Sequence, residues 1–253
     1  MAEVMQSLHR ALDILEELTK HPKGRAIREI AESLELNKTT VHRILQVLVM
    51  RGYVEQDERT KDYKIGIKAL EISSGYVEGS QIKNQAHSHL EKLCKETGCI
   101  VHLAILSDRE VVYIDKLNGD NNWQLYSEIG KHAYIHSTGL GKAFLMTMQN
   151  DEVLYYVKKN GYVQRTSRTL ITEESLLKDL EACRKRGYAI DDEENEYGIR
   201  CVAVPIFQYN HEVVAAISAI NKVDVMTEEK MIEVAVLSQK CANEISCCLG
   251  YQK

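Results

Sequence analysis

A short polar stretch near the N-terminus has the side chains that read nucleic acid. Arginine can fork onto guanine and glutamine can pair with adenine, whereas lysine binds phosphate. The window from Leu36 to Val54 contains no acidic residue, so a phosphate backbone would meet no repulsion there. The stretch therefore predicts a DNA-binding surface, with base or phosphate contacts from Thr39, Thr40 and Arg43, an adenine contact from Gln46, a phosphate contact from Lys38, and further polar positions at Asn37 and His42.

A second concentration of chemically active side chains lies in the C-terminal half. Five acidic residues come shortly before a thiol at the start of an apolar run: Asp191, Asp192, Glu193, Glu194, Glu196 and Cys201. A carboxylate pair can do acid–base chemistry, and a thiolate can act as a nucleophile. We favour a solvated acidic loop for Asp192, Glu193 and Glu194. A thiol-dependent enzyme using Cys201 is the weaker alternative, because no catalytic motif surrounds this cysteine.

The cysteines favour a reducing compartment. There are seven, none in a C-x2-C pair. A metal site could be assembled from Cys94 and Cys99 with His102, or with His87 and His89, only by choosing ligands freely. We therefore expect neither a metal nor a cofactor.

Length and charge indicate two domains of different character. A chain of 253 residues is long enough for two domains. Residues 1–75 hold 12 basic and 12 acidic side chains, whereas residues 76–253 hold 20 and 25, so the net charge of −5 lies downstream. No apolar run approaches the roughly 18 residues that a membrane span needs, and no leader opens the chain. We expect a cytoplasmic protein without a membrane partner.

Apolar periodicity places the first polar stretch on a helix. Residues 4–18, 27–34 and 41–49 repeat apolar side chains every three or four positions, which predicts three helices with a tight turn between the last two. Asn37, or alternatively Thr39, would cap the third helix. Residues 53–56 and 62–65 then predict a hairpin. This order is a winged helix-turn-helix, in which Tyr63 and Lys64 on the wing could touch DNA, although packing is an equal prediction for Tyr63.

The pattern changes after residue 98 and predicts a mixed α+β domain. Helices at 67–77 and 82–94 lead into it. We expect strands at 100–106, 111–117, 123–127, 132–135, 188–191, 200–207 and 212–221, and helices at 139–148, 151–158, 173–186 and 227–249. The predicted domains are a winged helix-turn-helix at 1–66, a linker helix at 67–80 and a second domain at 81–253.

Several segments resemble one family along nearly the whole chain. Residues 28–31 (REIA), 36–45 (LNKTTVHRIL) and 52–54 (GYV) look like the head of IclR-family transcriptional regulators. Residues 134–143 (YIHSTGLGKA) and 191–205 (DDEENEYGIRCVAVP) are similar to that family's effector-domain segments. Residues 112–116, 126–130 and 194–207 look closest to the sugar-acid-responsive members, such as the 2-keto-3-deoxygluconate regulators.

The resemblance implies a GAF-like effector domain with an antiparallel sheet and a site for a small carboxylate. Gly139 and Leu140 would offer backbone N–H groups at a helix start, a geometry that suits an anion. The other implied effector positions are Ser137 and Thr138 as caps, Asp191, Cys201 and Ser218 as polar lining, and Trp123 and Tyr126 as apolar walls or core. Ile220 stands where some members have a second serine, which favours a ligand larger than a very small oxo acid. In the head, the resemblance adds Arg28 to the DNA-binding set.

The expected function is transcriptional regulation, with repression of a carbon-catabolism operon as the favoured sign. The partners would be double-stranded operator DNA, a carboxylate or sugar-acid effector, and a second copy of the chain in a homodimer that can pair into a tetramer. Two alternatives to a transcriptional regulator remain: a winged-helix protein-interaction module and the thiol-dependent enzyme that uses Cys201.

Overall fold

The computed structural model describes residues 2–119, 125 and 127–252. Contacts divide the chain into two compact units, Met1–Ser80 and Gln81–Lys253. Each unit has a hydrophobic core of its own. Among the described residues, no helix has the length and apolar character needed to cross a bilayer.

The first unit begins with the three predicted helices, which are α1 (Ala2–Thr19), α2 (Ile27–Ser33) and α3 (Lys38–Met50). Their apolar faces meet in one core, where Ile14, Leu18, Ile30, Val41 and Leu45 are fully buried. The three-to-four residue period identified the inward faces of α2 and α3. In α1 it did so only in part, because Leu18 is buried but Leu8 and Leu12 are exposed.

A hairpin packs against this core and completes the winged helix-turn-helix. Its strands are β1 (Val54–Gln56) and β2 (Tyr63–Ile65), paired antiparallel with Val54 opposite Ile65. The connector is fixed by Asp57, whose Oδ1 accepts the backbone N–H groups of Arg59 and Thr60 at 2.9 and 2.8 Å. Helix α4 (Lys68–Gly79) follows.

The second unit is built on an antiparallel sheet. Within its described residues the sheet has six strands: β3 (Ile100–Ser107), β4 (Glu110–Leu117), β5 (His132–Ala133), β6 (Ala189–Asp192), β7 (Ile199–Phe207) and β8 (Val213–Lys222). Their order is β5-β4-β3-β8-β7-β6. Strand β5 is shorter than predicted, and most of the strand predicted at 123–127 lies outside the described residues.

Helices cover both faces of this sheet. One face packs against α5 (Gln81–Thr97) and α9 (Glu228–Cys248). The other packs against α6 (Gly139–Leu145), α7 (Asn150–Val157) and α8 (Glu173–Arg186). Gly187 ends α8 in the left-handed conformation, with φ of +80°, as its position in the sequence predicted. The α+β prediction is confirmed.

Candidate functional site

The polar face of α3 is the exposed one. Val41, Leu45 and Leu48 anchor the helix in the core. Solvent reaches nearly the whole polar set predicted to contact DNA, namely Asn37, Lys38, Thr39, His42, Arg43 and Gln46, with Thr40 half-buried. The first turn carries no acidic residue. The second helix of the motif thus presents a polar, acid-free surface of the kind that enters a major groove.

Asn37 occupies the capping position of α3 but does not cap it through its side chain. Its backbone is extended, with φ of −66° and ψ of 134°, and its side chain makes no capping hydrogen bond. The predicted position is confirmed, while the predicted side-chain bond is wrong. Without that bond the first N–H groups of α3 keep donors that an external phosphate oxygen can use.

The remaining DNA-binding candidates in the head differ in availability. Arg28 is exposed on α2 and pairs with Glu32 at 2.7 Å, which raises its pKa. Lys64 is half-buried on the wing, 3.5 Å from Glu55. Tyr63 is a correction: only 7% of it is exposed, because its ring packs into the core of the head. Tyr63 is a packing residue and is not available to a groove.

The second unit contains a cavity of about 440 Å³ between the sheet and α6. Its volume is within the range of small-molecule sites. The lining comes from the five strands β4 to β8, the start of α6 and four connections. It comprises Tyr113, Leu125, Ser127, Lys131, His132, Ala133, Tyr134, Thr138, Gly139, Leu140, Arg165, Asp191, Asn195, Glu196, Ile199, Cys201, Ser218 and Ile220.

Most of the predicted effector positions line this cavity. The structure brings together Thr138, Gly139, Leu140, Asp191, Cys201 and Ser218. Ser137 is buried beside the cavity without lining it, and its Oγ donates to Asn195 Oδ1 at 3.4 Å. Trp123 and Tyr126 lie outside the described residues. Ile220, the position that departs from the family pattern, also lines the cavity.

The start of α6 is fixed by a cap and by two glycines. Thr138 Oγ1 accepts the Gly141 N–H at 3.1 Å and donates to the Tyr134 carbonyl at 2.7 Å. A Cβ on Gly139 would lie 2.4 Å from Cys201 Sγ, and one on Gly141 would lie 2.1 Å from the Ile135 carbonyl oxygen. Both positions therefore require glycine, because no side chain fits between α6 and its neighbours.

Asp191 and Cys201 form a buried pair on neighbouring strands. They are register partners on β6 and β7. Burial, and next the Glu194 carboxylate, raise the pKa of Asp191 to about 7, although its Oδ1 accepts the backbone N–H groups of Glu194 and Asn195. Burial raises the pKa of the Cys201 thiol as well. A thiol with a raised pKa is a poor nucleophile, which argues against the thiol-enzyme alternative.

Two buried polar atoms near the cavity lack a hydrogen-bond partner among the described residues. They are Ser218 Oγ, which lines the cavity, and Nδ1 of His102, the residue opposite Ser218 on β3. Burial lowers the pKa of His102 to about 3, so the ring is neutral, and its Nε2 lies 2.9 Å from Ser127 Oγ. An unpaired buried hydroxyl in a cavity wall is a group that a ligand can satisfy.

The acidic loop before Cys201 is not a solvated loop, which corrects the expectation for Asp192, Glu193 and Glu194. Glu194 is buried and bonds the fully buried Lys142 at 2.5 Å, and Lys142 also lies 2.9 Å from Asp179. Burial opposes the Lys142 charge, but the two carboxylates outweigh burial and raise its pKa. The other two acids pair with arginines: Asp192 with Arg168 and Arg200, and Glu193 with Arg168.

Several lining residues were not among the predicted effector positions, because they lie in irregular connections. Among them are Lys131, Arg165, Asn195 and Ser127. Ser127 is held by its carbonyl, which accepts from Lys116 Nζ at 2.5 Å. The register of β3 with β4 places His102 opposite Lys116, and the side chains of both residues contact Ser127.

The ligand sets considered for a metal are not assembled in the described part of the chain, where no three His, Cys, Asp or Glu side chains are grouped to hold an ion. Cys94 Sγ donates to the Cys99 carbonyl at 3.3 Å, and both thiols are buried.

Comparison with known proteins covers both units. The model described as "IclR helix-turn-helix domain" matches residues 7–58, and "Bacterial transcriptional regulator IclR C-terminal" matches residues 74–247. The chain is 32% identical to the transcriptional repressor IclR of Escherichia coli strain K12 over 248 residues, 97% of this chain and 90% of that one. It is also 32% identical to the HTH-type transcriptional regulator KdgR of the same strain over 225 residues, 89% and 86% of the two chains.

A solved structure agrees. The crystal structure of the Thermotoga maritima IclR has a TM-score of 0.80 and 36% identity, covering 98% of this chain and 100% of that one. The fold and the matches define a winged helix-turn-helix transcriptional regulator. More closely, the chain belongs to the IclR family of bacterial transcriptional regulators.

Proposed function

We propose that this protein is a repressor of a carbon-catabolism operon that releases its operator when a small carboxylate of the sugar-acid type binds in the second unit. One observation carries the proposal: α3, the second helix of the motif, is anchored by apolar residues and presents an exposed face without acids. A face of this kind docks in a major groove, where side chains reach base edges.

The side chains of this face divide by chemistry. Arg43 pairs with a guanine through two hydrogen bonds and Gln46 pairs with an adenine, which gives sequence discrimination. Lys38 binds phosphate and sets position. The uncapped N–H groups at the start of α3 add a second phosphate contact. The remaining contributors are Asn37, Thr39, Thr40 and His42 from α3, Arg28 from α2 and Lys64 from the wing.

The operator is bound by two copies of the chain. Helix α4 exposes Leu70, Ile72 and Tyr76, with Leu70 64% exposed, and apolar side chains of this size are typical of a surface that a partner covers. With domains at 1–66 and 81–253, residues 67–80 form the linker, and this linker contains α4. A two-fold dimer places two α3 helices in successive major grooves of a near-palindromic site, and dimers can pair into tetramers.

The effector acts through its difference in affinity for two states of the dimer. It occupies the cavity lined by Thr138, Gly139, Leu140, Asp191 and Ser218. It can weaken DNA binding only by binding the DNA-free arrangement more tightly, and such couplings are typically about 1–3 kcal/mol. This coupling corresponds to a loss of about 5- to 150-fold in operator affinity when the effector binds.

The test is binding to duplex DNA from upstream of the gene and its neighbours, against scrambled duplex, over a salt series. We expect tight selective binding, with the logarithm of the binding constant falling linearly with the logarithm of the salt concentration. Arg43→Ala should lose about 1–3 kcal/mol and relax discrimination, whereas Lys38→Ala should weaken both duplexes equally and reduce the salt slope by about 1. Arg168→Ala, in the second unit, is the control and should bind as wild type.

Three results would count against the proposal. Equal affinity for the upstream and the scrambled duplexes, at every upstream site tried, would contradict sequence-specific binding to an operator. Normal discrimination in Arg43→Ala, with the protein folded, would remove the assignment of α3. Absence of any salt-dependent duplex binding would favour a protein-interaction module.

A further inference from the structure

Two packed helices of the second unit bring a thiol, an imidazole and a carboxylate together. Helix α9 carries Glu244 and Cys248, which are four residues apart and therefore lie on one side of the helix. His89 contacts both of them from α5, the helix that packs against α9. None of the three residues lines the cavity between the sheet and α6. We call these three side chains the thiol cluster.

The contacts of the thiol cluster form a chain from carboxylate to imidazole to thiol. Glu244 Oε2 lies 3.2 Å from His89 Nδ1, and His89 Nε2 lies 3.8 Å from Cys248 Sγ, within hydrogen-bonding reach for sulfur. An ionised carboxylate only accepts, so Nδ1 is the ring nitrogen that carries the proton. In the neutral ring, Nε2 is then the acceptor of the thiol proton. Because each neighbour uses a different ring nitrogen, the three groups do not surround a common point and do not form a metal site.

A thiol, a base and a group that orients the base are the parts of an activated sulfur nucleophile. His89 Nε2 can take the Cys248 proton, and the Glu244 carboxylate stabilises the imidazolium that forms. The thiolate, rather than the thiol, then attacks an electrophile. Solvent reaches only 26% of the His89 side chain and 37% of the Glu244 side chain, whereas Cys248 is open to reactants.

Cys247 is a neighbouring thiol that lacks these partners. It precedes Cys248 by one residue, which turns its side chain by about 100° around the helix axis and off the side that carries Glu244. Cys247 is also exposed, but no hydrogen bond joins its thiol to a described residue. The chain therefore contains two exposed thiols that differ in their contact with His89. The other five are buried, namely Cys94, Cys99, Cys183, Cys201 and Cys241.

The surroundings of the thiol cluster suit a small reactant. The hollow beside it is lined by His89, Glu244 and Cys241, among others, and has a volume of about 10 Å³. Sites for organic ligands usually measure about 300–1,000 Å³. An organic substrate thus has no site of ordinary size at the cluster. A hydroperoxide needs none, because its O–O bond has only to reach the exposed sulfur.

We propose that Cys248 is a site of covalent modification, at which His89 and Glu244 activate the thiol toward hydroperoxides. The thiolate sulfur attacks one peroxide oxygen, so that an S–O bond forms and the O–O bond breaks. Sulfur loses two electrons and the peroxide gains them. The proton held by His89 passes to the leaving oxygen. Hydrogen peroxide thus gives one water molecule, and Cys248 becomes a sulfenic acid.

A comparison of the two exposed thiols tests the proposal. Cys247→Ser leaves Cys248 as the exposed thiol, and Cys248→Ser leaves Cys247. Each full-length, reduced protein is treated with hydrogen peroxide at pH 7, the sulfenic acid is trapped with dimedone, and mass spectrometry follows labelling over time. An ordinary exposed cysteine is a few per cent thiolate at pH 7, which limits the gain from activation to about 30-fold. We expect Cys248 to react about 3- to 30-fold faster than Cys247.

Variants of the two partners separate activation from simple exposure. His89→Gln should lower the rate of Cys248 to that of Cys247 and leave the rate of Cys247 unchanged. Glu244→Gln keeps an oxygen that accepts the Nδ1 proton, so it should lower the rate of Cys248 less than Glu244→Ala does.

His87→Gln is the matched control. His87 lies on the same helix as His89 and its Nδ1 also contacts a carboxylate, Asp115 Oδ2 at 2.7 Å, but it has no contact with Cys248. This variant should keep the wild-type rate at Cys248. Circular dichroism checks that every variant is folded.

The proposal is overturned if Cys248 reacts no faster than Cys247 in the folded protein, or if His89→Gln keeps the difference between them. It is also overturned if the difference persists in concentrated urea, because His89 is then no longer held beside the thiol and only the local sequence can cause it.

Discussion

The buried lysine of α6 gives the sharpest stability prediction. Lys142 is 0% exposed and its Nζ contacts Glu194 at 2.5 Å and Asp179 at 2.9 Å. In Lys142→Met the Glu194 carboxylate stays buried without a counter-charge, and its Oε2 already has no partner among the described residues. Removing one member of a buried pair costs about 3–5 kcal/mol. For a unit of this size, that cost lowers the melting temperature by roughly 6–20 °C.

Thermal unfolding of the full chain, followed by far-ultraviolet circular dichroism, measures this loss. The pKa of Glu194 is already raised in the wild-type protein and rises further in Lys142→Met. The stability deficit of the variant therefore grows as pH increases from the wild-type to the variant folded-state pKa of Glu194, and it is larger at pH 8 than at pH 5. Adding Glu194→Gln should recover much of the stability, since no charge is then stranded. A single variant within about 2 °C of wild type, or a double variant less stable than the single one, would refute the reasoning.

Three further predictions concern the cavity and the wing. Gly139→Ala should destabilise the second unit and weaken effector binding, because its Cβ would lie 2.4 Å from Cys201 Sγ, and melting with calorimetry checks both. Asp191→Asn should raise the melting temperature at pH 8 but not at pH 4. The folded-state pKa of Asp191, about 7, lies above its unfolded value, so the wild-type protein loses stability as pH rises through that interval. An equal difference in melting temperature between variant and wild type at both pH values would contradict this. Tyr63→Ala should lower the free energy of unfolding of the head by about 3–5 kcal/mol. Tyr63→Phe should bind duplex DNA as the wild type does. A loss of DNA affinity in Tyr63→Phe, with the protein folded, would show that the Tyr63 hydroxyl contacts DNA.

Much of the fold was predictable because the signals are local. The inward faces of α2 and α3 follow from spacing within each helix, and Gly187 ends α8 for a reason contained in one residue. The cap at Thr138 is equally local. Six effector positions suggested by resemblance were also brought to one cavity, although nothing in their own spacing required it.

The failures come from contacts between distant parts of the chain. Glu194 was read as a solvated acid because its neighbours are acidic, whereas its charge is matched by Lys142, 52 residues earlier. Tyr63 was left open because a hairpin alternates faces, and only the packed head shows which face is buried. Arg165 belongs to no periodic element, so its place at the cavity became visible only with the fold.

The antiparallel sheet explains how such distant residues come to act together. Asp191, Cys201 and Ile220 are successive register partners on β6, β7 and β8, so they form one row across the floor of the cavity. Ser218 lies two residues along the same strand and therefore on the same face. An exchange at position 220 changes one end of that row, and Asp191 lies at the other end. Position 220 and the polar residues Asp191 and Ser218 therefore belong to one surface of the cavity but lie at different points of it.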